Sequence, residues 1–126
     1  MNALHTDSRH KPTPVDFRKL YERRGSPRSA FTLRATVLSG GADLTVDNLS
    51  TTGMVARSKS ARFPGSLIKL RLEVPLVHDT IEVWAKVLEI SPGKRGITHK
   101  LQFCYLSPRA LMSLYRFFDR SRHLWR

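Results

Sequence analysis

Two short stretches carry the residue types best suited to gripping a ligand: Arg23-Arg24-Gly25-Ser26-Pro27-Arg28 and Asn48-Leu49-Ser50-Thr51-Thr52-Gly53. A guanidinium donates in a planar fork that matches phosphate oxygens and the edge of guanine, and Gly25 and Pro27 keep the first stretch out of a helix. The second is a small polar turn in which Asn48 and Ser50 offer short donors and acceptors. Gly53 there permits a backbone conformation, or a close approach, that a side chain would block. We read the two stretches as halves of one binding site.

Their weights differ. With fifteen arginines in the chain, an Arg-x-x-x-Arg spacing arises by chance, and Arg116/Arg120 and Arg122/Arg126 match it as well as Arg24/Arg28. The Asn48-x-Ser50-x-x-Gly53 pattern is far rarer in such a composition, and it follows a strand. Chemistry of other kinds finds little support. The histidines His5, His10, His78, His99 and His123 lack metal-ligand spacing. His99, on a predicted inward face, reads as a satisfied strand residue. No paired carboxylates, nucleophile elbow or glycine-rich phosphate loop is present, so neither an enzyme nor a metal or cofactor site is expected. Asn48-Leu49-Ser50 matches a glycosylation acceptor, but the N-terminus has no apolar stretch of secretory type.

The elements that must position these residues are mainly strands. Residues 1–20 are polar, contain Pro12 and Pro14, and read as a flexible extension. From Phe31, alternation of Phe31, Leu33, Ala35 and Val37 with polar residues predicts a strand ending at Ser39-Gly40-Gly41. Ala42, Leu44 and Val46 predict its hairpin partner, with Asp47 outward and a turn over residues 48–53, and Met54-Val55-Ala56 starts a third strand. Ile68, Leu70, Leu72 and Val74 mark a fourth, closed by Pro75. Residues 80–90 give a fifth, with Ile81, Val83, Ala85 and Val87 inward and Pro92-Gly93 ending it. In the sixth, Ile97, His99, Leu101, Phe103 and Tyr105 share the inward face. Ser107 is a suitable N-cap with Pro108 at the first position of a helix whose apolar stripe is Leu111, Leu114, Tyr115 and Phe118. The expected fold is a small six-stranded antiparallel barrel with this C-terminal helix packed on it.

Trp84 falls on the face shared with Glu82 and Lys86. An outward Trp needs a partner: it is either a base-stacking platform for a bound ligand or is covered by a neighbouring segment. Trp125 is expected to cover the helix end, and Cys104 to occupy a buried strand position.

At 126 residues the chain holds one domain, residues 21–126, behind the extension. Its formal charge of +12 is concentrated at the two ends and favours an anionic partner. The single cysteine fits a reducing compartment, and no apolar run is long enough to span a membrane, so a cytoplasmic location is expected.

The order of the two patterns, the hairpin between them, and Gly96-Ile97-Thr98-His99-Lys100-Leu101-Gln102-Phe103 running into a Ser-Pro-capped helix together resemble the PilZ family over residues 21–118. The resemblance implies a bacterial β-barrel that binds cyclic di-GMP through Arg23, Arg24 and Arg28 and through Asn48, Ser50 and Gly53, Asn standing where many members have Asp. It also implies a receptor that relays the signal to a downstream protein. In an extended loop Arg24 and Arg28 lie at most about 13 Å apart, so their side chains can span a dinucleotide. The alternatives are a small basic barrel that binds nucleic acid and a nucleotide-independent adaptor of the same fold.

Overall fold

Period-two alternation of Val, Ile and Leu with polar residues builds the strands, and their apolar faces are what the fold buries. The computed structural model describes residues 14–16 and 33–121. In it β1 (Val15–Asp16), β2 (Leu33–Val37), β3 (Leu44–Leu49), β4 (Gly53–Ser58), β5 (Leu67–Val74), β6 (Asp79–Gly93) and β7 (Gly96–Tyr105) precede one helix, α1 (Pro108–Ser121).

Every pairing is antiparallel. The strand order is β1-β3-β2-β5-β6-β7-β4, and β4 pairs back onto β3, so six strands close a barrel and β1 is an added seventh. Closure removes the free edges of an open sheet. Because β4 lines one edge of β3, β1 and β2 share the other: Val15 stands opposite Leu49, and Leu33 opposite Val46. The core comprises Leu33, Ala35, Leu44, Leu49, Leu70, Leu72, Ile81, Ala85 and Leu101 with their neighbours, all essentially without solvent exposure.

The helix starts where predicted, with the Ala110 amide donating to Ser107 Oγ at 3.1 Å and the Leu111 amide to the Ser107 carbonyl at 2.9 Å. Its buried stripe is Ala110, Ser113, Leu114, Phe117, Phe118 and Ser121. Of the predicted stripe Leu114 and Phe118 are buried and Leu111 is half-buried, but Tyr115 is exposed, and Phe117, at the i+3 position from Leu114, takes the core position instead. The helix lies against β5 and β6 at their hairpin end. There Arg109 donates to Asp79 Oδ1 at 2.6 Å, Ser113 Oγ donates to Asp79 Oδ2, and Arg120 donates to the Leu76 carbonyl at 2.8 Å. The Ser113 hydrogen bond is the main cause holding the Asp79 carboxyl below its ordinary value, opposed by desolvation and aided by Arg109.

Other boundaries also differ from expectation. The fifth predicted strand, read over residues 80–90, runs on to include Pro92-Gly93 and ends there, as β6, at a two-residue Lys94-Arg95 hairpin with Gly93 opposite Gly96. Gly96 makes that turn with φ of +121°. Val15 and Asp16, within the stretch read as a flexible extension, pair with β3, and Val15 is buried. Phe31 and Trp125 lie outside the described residues. Cys104 is exposed rather than buried, and Tyr105 is exposed rather than inward.

Candidate ligand site

Strand β3 contains a β-bulge between Val46 and Asn48. Strict alternation would put Asn48 on the inward side with Leu44 and Val46. The extra residue at the bulge shifts the register, so Asp47 is buried and Asn48 turns out of the core. Asp47, predicted to be outward, is instead paired: Arg57 Nε on β4 donates to both its carboxylate oxygens at 3.0 and 2.8 Å. A buried carboxylate needs such a partner, and the pair fixes the bulge from the adjacent strand.

Asn48 is thus the penultimate residue of a strand, and the turn proper is Ser50-Thr51-Thr52. Ser50 organises it. Its hydroxyl accepts from the Thr52 and Gly53 amides, each at 3.2 Å, and donates to the Gly53 carbonyl at 3.2 Å, while the Ser50 amide donates to that same carbonyl at 2.9 Å. Gly53 is required by close approach rather than by an unusual φ. A Cβ there would drive into the Leu101 carbonyl oxygen of β7, whose chain runs directly alongside.

Asn48, Ser50, Thr52 and Gly53 line one open cleft on the barrel exterior, with a volume of about 330 Å³. Pro14, Leu88, Lys100 and Gln102 are among the residues that complete its walls. Lys100 supplies a cation, Gln102 a donor and acceptor, and Leu88 an apolar surface for a flat ring. Lys100, Gln102 and Leu88 belong to neither sequence motif. The outward positions of Lys100, Gln102 and Leu88 all follow from alternation; the second bulge, between Val87 and Glu89, comes after Leu88 and leaves Glu89 exposed as well.

The cleft unites the second motif and excludes Trp84. That ring stands on β6 one outward position beyond Lys86, which is opposite Gln102, and Lys69 Nζ lies 5.9 Å from its centroid. Arg23, Arg24 and Arg28 lie outside the described residues. The chain leaves β3 at Asp16, opposite Asn48, and rejoins it at Leu33, so the segment carrying the arginines is anchored at both ends to the strand that presents Asn48.

His99 is buried and fully used. Its Nε2 accepts from the Arg62 amide at 3.2 Å, so Nδ1 carries the proton and donates to the Ile97 carbonyl at 3.0 Å. Among the described residues no group of three or more His, Cys, Asp or Glu could hold a metal ion. Nor is any helix among them long and apolar enough to cross a membrane.

A family model described as the PilZ domain matches residues 22–120. No curated protein matches the chain. Among solved structures, the Bacillus subtilis inhibitor of motility MotI/DgrA is 18% identical with a TM-score of 0.66, over 76% of this chain and 49% of that one. The PilZ domain of Escherichia coli YcgR with c-di-GMP is 18% identical with a TM-score of 0.55, over 73% and 82%. Escherichia coli YcgR in complex with c-di-GMP is 14% identical with a TM-score of 0.64, over 89% and 46%. The chain therefore spans about half the length of MotI and of YcgR. At these identities the structural likeness establishes the fold, and the family match establishes descent: the chain belongs to the PilZ domain family.

Proposed function

We propose that this PilZ-domain chain is a bacterial cyclic di-GMP receptor that acts in the cytoplasm by binding the dinucleotide and passing the signal to a partner protein, not by catalysis. The observation that carries the reading is the outward rotation of Asn48 into an open cleft whose rim is the Ser50–Gly53 turn. YcgR, which shares the fold, is seen with c-di-GMP bound.

Each residue has a physical role in this reading. Asn48 offers the paired donor and acceptor of a carboxamide to a base edge or phosphate. Ser50 is committed to the turn, its hydroxyl accepting from the Thr52 and Gly53 amides and donating to the Gly53 carbonyl, so its part is to fix the shape of the rim beside Asn48. Gly53 lets β4 lie close enough to β7 for Lys100 and Gln102 to form the opposite wall. Arg23, Arg24 and Arg28 supply the forked cations that two phosphates and two guanines require. Leu88 offers an apolar floor for a guanine; Trp84, off the cleft, is not needed for this role.

The relay follows from connectivity. A ligand held between Asn48 and the arginines grips a segment whose ends both sit on β3, so binding changes the surface that the N-terminal residues present to a partner. Titration calorimetry with cyclic di-GMP tests the binding. Saturable binding is expected, weakened by about 2–5 kcal/mol in Arg24→Ala or Arg28→Ala, since each removes one partner of a charged hydrogen bond. Absence of binding would leave the nucleotide-independent adaptor as the better account.

A further inference from the structure

A third bulge breaks the register between β6 and β7, so that Trp84 is opposite Tyr105 while Ala85 is opposite Phe103. Cys104 is the extra residue, and it displaces Tyr105 from the inward alternation of His99 and Leu101 onto the outer face. The result is a directly cross-strand aromatic pair in which Trp84 is 41% and Tyr105 60% exposed. Opposed residues on one face of a sheet bring their side chains within about 5 Å of each other at Cβ.

The surroundings are charged and polar rather than an apolar patch. Lys69 stands opposite Trp84 on β5, Lys86 is the next outward residue of β6, and Arg71 stands opposite Glu82. Glu82 lies 3.4 Å from Lys69 and 3.7 Å from Arg71, so these two cations share one carboxylate. Leu67, opposite Lys86, is the apolar neighbour.

We propose that this outer face of β5, β6 and β7 binds single-stranded nucleic acid, with successive bases on Trp84 and Tyr105 and phosphates beside Lys69, Arg71 and Lys86. An antiparallel face with two exposed rings at directly opposed register positions suits unpaired bases, because every base has a π-face and stacking needs no hydrogen-bond code. The flanking cations and the +12 net charge match a polyanion. A duplex hides its base faces and gains only the electrostatic part. This site adjoins the Asn48 cleft, since Lys86 stands opposite Gln102 of the cleft wall, but neither ring lines that cleft.

Fluorescence anisotropy of a fluorescein-labelled oligothymidylate, titrated with the full chain at low and physiological salt, tests the proposal. Saturable binding is expected, with Trp84→Ala and Tyr105→Ala each weakening it about 5- to 100-fold and Trp84→Phe and Tyr105→Phe retaining most of it. Both rings are exposed, so unchanged melting curves should show that the alanine variants remain folded. Equal binding to a duplex of the same length, or affinity that fades with salt but ignores both alanine variants, would overturn it. No binding even at low salt would also overturn it, and would leave the two rings as anchors for a protein partner. Calorimetry with cyclic di-GMP on Trp84→Ala should match the unmodified chain, which separates failure here from failure of the receptor reading.

Discussion

Single residues account for two features that alternation cannot explain. Gly53 is needed because the Leu101 carbonyl occupies the space where a Cβ would sit. Gly53→Ala should therefore cost roughly 1–3 kcal/mol through overpacking, read as a fall of several degrees in melting temperature; an unchanged melt would contradict the close approach. His99 contributes a pH dependence. Burial is the largest influence on its imidazole and lowers it from the ordinary 6.5; the Ile97 carbonyl opposes this and the Arg62 charge adds to it. The folded state thus keeps His99 neutral while the unfolded chain takes up a proton near 6.5, so its stabilisation is complete above that value and declines as the pH falls through the lower folded value. Denaturant midpoints measured from about pH 7 to 5 should fall with acid, and less so in His99→Gln, which has no proton to gain there. Equal slopes in the two proteins would rule His99 out as the source.

At the scale of elements, the three bulges explain what could and could not be read from the chain. Unbroken alternation, as in Ile68-Lys69-Leu70-Arg71-Leu72, made the strands, their inward faces and the barrel legible, and Ser107-Pro108 made the helix start legible. Asn48, Ser50 and Gly53 were legible as a rare pattern. Tyr105 was not, because an extra residue in one strand is set by its pairing with the next and leaves no local mark in sequence. Asp47 was misplaced for the same reason, and with it the buried ion pair that holds the first bulge. Asp47→Asn keeps the volume but removes the charge facing Arg57, and should cost about 1–3 kcal/mol of stability. It should also weaken cyclic di-GMP binding although Asp47 does not line the cleft, because the bulge sets the direction of Asn48. A folded variant with unaltered affinity would show that Asn48 keeps its orientation without the pair.

For the whole molecule, the barrel sets apart two exterior regions. One is the Asn48 cleft, flanked by β1, β4 and β7; the other is the ringed face of β5, β6 and β7. α1 packs at the β5–β6 hairpin end, where Arg109 and Ser113 hold Asp79, and takes no part in the cleft walls. Asp16 and Leu33, which flank the arginine segment, both pair with β3, and cyclic di-GMP reception as proposed requires residues 23–28 and 48–53 to act as one site. Hydrogen–deuterium exchange of the full chain with and without cyclic di-GMP tests this most directly. Binding should slow exchange together in peptides covering residues 23–28 and residues 48–53, and leave those around Trp84 and Tyr105 unchanged. Protection confined to one of the two stretches, or found on the Trp84–Tyr105 face instead, would contradict it.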